Sequence, residues 1–103
     1  MLFYVKGGPK GVQAPPGPPT KEFLDLVIKE WETVIKFRDE SKIVGSYGYG
    51  DRPGGFSIYD VDSRDELDEL LKELPMHSYA DFEIVPLITA EQAIERTKEG
   101  TLS

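Results

Sequence analysis

The chain holds a single histidine, His77, four residues ahead of Asp81 and six ahead of Glu83. Imidazole changes charge near neutral pH, which suits it to moving protons. A carboxylate turned toward an apolar cavity has a raised pKa and can do the same work. His77 and Glu83 are therefore the two candidate bases. Asp81 shares a strand face with Glu83 by alternation, but reads more simply as solvated or bound to loop amides. Five tyrosines, Tyr4, Tyr47, Tyr49, Tyr59 and Tyr79, fall on or beside four strands. Polar-tipped aromatic walls suit a small unsaturated molecule, and Tyr49, Tyr59 and Tyr79 can donate to a developing oxyanion. The same rings also suit cross-strand packing in a dimer interface. Arg52, in a Pro/Gly turn, can pair with a substrate carboxylate.

Other chemistry is excluded by what the chain lacks. With no cysteine there is no disulfide, thiolate nucleophile or cysteine-ligated zinc. One histidine rules out a multi-histidine metal centre, and nothing beside His77 argues for haem. No cofactor is expected. The formal net charge of −7, with no local basic stripe, argues against nucleic acid as a partner. No apolar run is long enough to span a bilayer. Met1 to Lys6 lacks the basic and apolar regions of a secretory signal, so a cytoplasmic location is expected.

The elements that must position these residues follow from pattern. Leu2 to Lys6 reads as a first strand. Residues 7–19 hold five prolines and four glycines and read as a loop, extended from Ala14 to Pro19. Gly7 to Gly11 matches no phosphate-loop spacing. Thr20 caps a helix running to about Glu40, with Leu24, Val27, Ile28, Trp31, Val34 and Ile35 as its buried stripe. Trp31 reads as core. Ile43 to Tyr49 and Phe56 to Val61 form a hairpin across the Asp51–Gly55 turn. Ser63 to Glu66 is a capping box; it opens a helix that buries Leu67, Leu70, Leu71 and Leu74 and stops at Pro75. Asp81 to Leu87 is the fourth strand. A second box, Thr89 to Gln92, starts a short helix over residues 89–100 that ends near Gly100.

The fold class is α+β. One domain over residues 1–103 has ferredoxin-like βαββαβ order: a four-stranded antiparallel sheet with two helices on one face, plus a short C-terminal helix. Phe3, Val5, Ile43, Phe56, Ile58, Phe82 and Ile84, with the tyrosines, are too much apolar surface for one helix-facing layer. A homo-oligomer of at least two subunits, joined through the bare sheet faces, accounts for the excess.

Met1-Leu2-Phe3-Tyr4-Val5-Lys6, Phe56-Ser57-Ile58-Tyr59-Asp60-Val61 and the segment from Leu74-Pro75 through Tyr79-Ala80-Asp81-Phe82-Glu83-Ile84 to Leu87 resemble the muconolactone isomerase family. They match its M-L-F-x-V-K start, its Y-S-V-F-D-V strand and its L-P-L-F-P-Y-x-D-I-E-V segment. The likeness covers about half the chain, and it implies a ferredoxin-like subunit, sheet-to-sheet dimers and often a larger ring. It also implies a cofactor-free proton shift that moves a double bond in a small lactone acid. Tyr47-Gly48-Tyr49-Gly50 departs from the family's W-R-x-x-G-x-Y, Arg52 lies out of register with that arginine, and His77 replaces an apolar residue. Two readings follow. The first is an isomerase-like enzyme with His77 or Glu83 as base, Tyr49, Tyr59 or Tyr79 at the oxyanion and Arg52 on a carboxylate. The second is a non-catalytic binding or assembly subunit in which the tyrosines only pack.

Overall fold

The computed structural model describes residues 1–9 and 20–100. Its elements are β1 (Leu2–Pro9), α1 (Lys21–Asp39), β2 (Ile43–Gly48), β3 (Gly55–Asp60), α2 (Arg64–Lys72), β4 (Ala80–Leu87) and α3 (Ala90–Lys98). The four strands form one antiparallel sheet in the order β2-β3-β1-β4. This is the ferredoxin-like arrangement the sequence implies. Most boundaries fall within two residues of expectation, and the largest difference is at the end of β1. Gly7, Gly8 and Pro9 continue β1, with Gly8 opposite Asp81 and Pro9 opposite Ala80. β3 pairs with β1 only as far as Gly7, so beyond it no described residue pairs with that edge of β1, where a proline's missing N–H breaks no ladder. The expected extended run from Ala14 to Pro19 lies outside the described residues.

Register decides which side chains the helices cover. Phe3, Val5, Ile43, Tyr59, Val61, Leu67, Leu71 and Leu74 are buried with Val34 and Phe37 of α1, and Phe82 and Ile84 pack against them. Phe56 and Ile58 belong to the opposite face, where Ile58 faces Tyr4 and Phe56 faces Tyr47 across the strands. The apolar strand residues are thus divided between two faces, as the excess over one layer requires.

α1 departs most from its sequence reading. Thr20 caps it, its hydroxyl accepting from the Phe23 amide at 3.1 Å, and Lys36 and Arg38 sit in the last turn, where cations complement the helix dipole. The buried side, however, is Val34 and Phe37, with Phe23, Leu26, Val27 and Glu30 half-buried. Leu24, Ile28 and Ile35 of the expected stripe are exposed at 48%, 56% and 43%, and Trp31 at 36%. Trp31 is therefore not core. The helix carries two apolar strips side by side, and the 3.6-residue repeat locates apolar positions without saying which strip the sheet receives.

At its C-terminus Lys42 N–H bonds Phe37 C=O at 2.8 Å and Ser41 N–H bonds Arg38 C=O at 3.0 Å, a Schellman closure. It requires the residue after the cap to be left-handed, and Ser41 sits at φ 64°. A side chain there costs about 1 kcal/mol relative to glycine. Ser41→Gly should accordingly raise the thermal midpoint by about 4–8 °C, read by a circular-dichroism melt.

α2 is capped by Ser63 Oγ, which accepts from Glu66 N–H at 3.1 Å. The Glu66 carboxylate accepts from Asp62 N–H at 3.0 Å rather than from the cap residue, and pairs with Lys42 Nζ at 3.3 Å. These contacts, the Asp62 amide first, hold its pKa below the usual value. α3 has both halves of its box, with Thr89 N–H on Gln92 Oε1 at 2.9 Å and Gln92 N–H on Thr89 Oγ1 at 3.1 Å. Gly100 follows at φ 81°. None of the described helices is long and apolar enough to cross a membrane.

Candidate functional site between α1 and the sheet

Glycines at the β2–β3 hairpin open a space beneath α1. Gly48 and Gly55 face each other across the hairpin, and the Trp31 ring lies over them. A Cβ on Gly48 would sit 3.3 Å from Trp31 Cζ2. Beside the indole is an open cleft of about 570 Å³, within the size range of small-molecule sites. Val27, Trp31, Val34, Ile35 and Arg38 of α1 form one wall; Ser46, Gly48, Tyr49, Arg52, Pro53 and Gly54 form the other. The Arg52 guanidinium carbon lies 4.3 Å from the centre of the Tyr49 ring, a cation–π arrangement. Asp51 accepts from Arg52 Nη1 at 3.2 Å. Two arginines at the rim of an otherwise apolar cleft suit an anionic group on a small, flat molecule.

A line of polar groups runs inward from this cleft under the helix. Ser46 Oγ, on the wall, is 2.8 Å from Ser57 Oγ. Ser57 is buried, and Tyr59, two residues on along the same strand face, is 1% exposed. Burial, with a further push from the charge of Glu30, raises the Tyr59 phenol well above its ordinary pKa. It stays a neutral donor at any physiological pH. Glu30 lies on α1 between Val27 and Val34, both of which line the cleft. Its Oε1 accepts from Met76 N–H at 3.0 Å. Burial raises its pKa, opposed by that hydrogen bond and by His77.

The sequence-selected residues fall into separate places. Tyr49 and Arg52 meet at the cleft. Tyr59 and His77 both feel Glu30 from the helix-covered side. His77 is exposed, its ring 6.2 Å from that of Phe82 with the planes 28° apart. Glu83 is exposed on the other face, opposite Lys6 of β1. The sheet therefore separates Glu83 from His77 and the cleft. There Tyr4, Tyr47 and Tyr49 surround Phe56 with ring centres 5.5, 5.6 and 6.3 Å away. Desolvation, then Tyr49 and Glu83, raises the Tyr4 phenol. Tyr79 is 59% exposed in the turn before β4.

Glu30 and Arg38 were not singled out from sequence. The signal for Glu30 was present: it replaces an apolar residue in the row Phe23, Leu26, Val34, Phe37, at helical spacing. Only the choice of the other strip as the buried one hid it.

Fold and site together define a ferredoxin-like domain with an open cleft at its first helix and a half-buried carboxylate beneath that helix. The chain belongs to the muconolactone delta-isomerase family, whose profile matches residues 1–93. It is 46% identical to the muconolactone delta-isomerase of Rhodococcus opacus over 46 residues, a stretch covering 45% of this chain and 43% of that relative. The match thus spans less than half the length of the relative. The crystal structure of a muconolactone isomerase superposes with a TM-score of 0.73 at 26% identity, over 91% of this chain and 95% of that one. A 5-chloro-2-hydroxyhydroquinone dehydrochlorinase from Burkholderia phenoliruptrix, solved with 2,5-dihydroxybenzoquinone, shares the fold at a TM-score of 0.59. It has 15% identity over 89% of this chain and 98% of its own.

Proposed function

We propose that the protein is a cofactor-independent isomerase that shifts a proton, and with it a double bond, in a small unsaturated lactone acid. The carrying observation is Glu30, a half-buried carboxylate whose pKa burial raises, one helical turn from both Val27 and Val34 of the cleft wall. In this reading the substrate carboxylate lies at the rim on Arg52 and Arg38, and the lactone ring points in under α1. Glu30 removes the proton from the carbon conjugated to the lactone carbonyl. The electron pair moves onto the carbonyl oxygen, and Glu30, its proton exchangeable with solvent, protonates the other end of the conjugated system. Tyr59 supplies a neutral donor on that side, and His77 beside Glu30 exchanges protons with solvent. Glu83, Tyr79 and the Tyr4–Tyr47–Phe56 cluster serve the bare sheet face, where a second subunit packs. Membership of an isomerase family supports the reaction class.

The rim assignment has its own test. Arg52→Ala should raise KM for muconolactone about tenfold with kcat nearly unchanged, measured by steady-state kinetics. An equal fall in kcat and kcat/KM would instead place Arg52 at the reacting atoms.

A further inference from the structure

The helix-facing side of the sheet changes character toward the β2–β3 hairpin. Elsewhere it carries large side chains, Phe3, Val5, Ile43 and Tyr59 among them. At the hairpin end two cross-strand pairs replace them, Ser46 with Ser57 and Gly48 with Gly55. Small residues there make room for the Trp31 ring, but alanine would serve that purpose as well as serine. The serines instead bring two hydroxyls to a place where each needs a partner. Among the described residues they find it in one another, at 2.8 Å.

The two members of the pair are not equivalent. Ser57 is buried at 8% exposure, whereas Ser46 is half-buried and lines the cleft. If Ser46 donated, the buried Ser57 proton would be left without an acceptor, which is costly. Donation from Ser57 satisfies it and frees the Ser46 proton to point into the cleft. A hydroxyl that accepts one hydrogen bond is a stronger donor of the next. Neighbouring phenols are engaged elsewhere. The Tyr49 ring packs with Phe56 of the other sheet face, and Tyr59 lies further in, 1% exposed.

We propose that Ser46, oriented by Ser57, donates the hydrogen bond that holds the carbonyl oxygen of the substrate lactone. The assignment rests on the isomerase reading for the identity of that oxygen. Glu30 comes from the helix and Ser46 from the sheet, so the lactone ring lies between base and donor. As the proton leaves carbon, the electron pair reaches the carbonyl oxygen and the Ser46 hydrogen bond strengthens. Ser46 keeps its own proton throughout, and the charge leaves the oxygen when Glu30 protonates the far end. Ser46 is thus a catalytic residue and Ser57 a positioning residue.

Two unreactive ligands separate this contact from turnover. One is the saturated lactone acid obtained by hydrogenating muconolactone. The other is tetrahydrofuranyl-acetic acid, the same skeleton without the carbonyl oxygen. In calorimetric titrations the wild type should bind the lactone acid about tenfold more tightly. Ser46→Ala should erase that preference by weakening the lactone acid alone, and Ser57→Ala should reduce it without affecting the ether acid. Because Ser46→Ala orphans the Ser57 hydroxyl, the Ser46→Ala/Ser57→Ala double variant, which leaves no orphan, guards against misfolding and should also show no preference. No preference in the wild type, no binding of either acid, or equal weakening of both by Ser46→Ala would overturn the assignment. With muconolactone, Ser46→Ala should lower kcat about 100-fold, with KM changed far less. An unchanged kcat would overturn Ser46 alone and leave the isomerase reading standing. A wild type that prefers the lactone acid yet does not turn over muconolactone would do the reverse, supporting the Ser46 contact and sinking the isomerase reading.

Discussion

Glu30→Gln should lower kcat on muconolactone by about two to four orders of magnitude, the usual contribution of a general base. The protein should remain folded. Gln keeps the oxygen that accepts from Met76 N–H at 3.0 Å, so that contact survives, and it removes a charge whose burial the fold disfavours. The sign of the linkage is definite. A carboxyl whose folded pKa lies above its unfolded value destabilises the fold at pH above that folded pKa, and the penalty disappears as pH falls through it. Glu30→Gln should therefore melt at or above the wild-type temperature at neutral pH, and this advantage should vanish in acid. Catalysis reports the same group from the other side. The wild-type kcat/KM should fall on an acid limb displaced above the ordinary glutamate value of about 4.3, and that limb should be absent from the residual activity of the variant. An unshifted limb in Glu30→Gln would assign the titration to another group.

The second large effect is structural. Gly55→Ala should destabilise the protein by about 1–3 kcal/mol, at the upper end of overpacking effects, or on the order of 10 °C in the thermal midpoint. A methyl at Gly55 would run into the Tyr47 carbonyl oxygen and come within 2.8 Å of Trp31 Cη2. The carbonyl belongs to the paired strand and cannot step aside, while the indole can move only into the cleft it lines. Lost stability should therefore come with a changed Trp31 emission spectrum and a raised KM. Gly50→Ala is the control. Nothing lies within 4 Å of the Cβ it would add, so its melt should match wild type within about 0.5 kcal/mol.

These two residues show how legible the chain is. The order of elements could be read because each boundary carries a local chemical signal, such as the caps at Thr20, Ser63 and Thr89 and the turn at Pro53-Gly54. The family likeness in the first strand and in the Leu74–Leu87 segment named the fold independently. The sheet alternation correctly set Asp81 and Glu83 on one face, and Ser57 with Tyr59 on one face. Alternation is relative, though, and does not say which face the helices cover; only the packed register sends Tyr59 inward and Glu83 outward. α1 failed for a related reason. With two apolar strips on one helix, the uninterrupted one, Leu24-Ile28-Trp31-Ile35, gives the stronger pattern, whereas Phe37, 1% exposed, makes the deeper contact. That mistaken choice hid Glu30, because a carboxylate is informative only on the side known to be buried. The cleft itself comes from glycines at 48 and 55 making room for an indole, a long-range fit that no local pattern carries.

Proton NMR of muconolactone with the protein in deuterated buffer, run beside Glu30→Gln, tests the central claim most directly. The account predicts isomerisation with deuterium entering at the carbon beside the lactone carbonyl for the wild type, and a rate at least 100-fold lower for the variant. Equal rates for the two proteins, or no exchange by the wild type, would contradict Glu30 as the base of a proton-shifting isomerase.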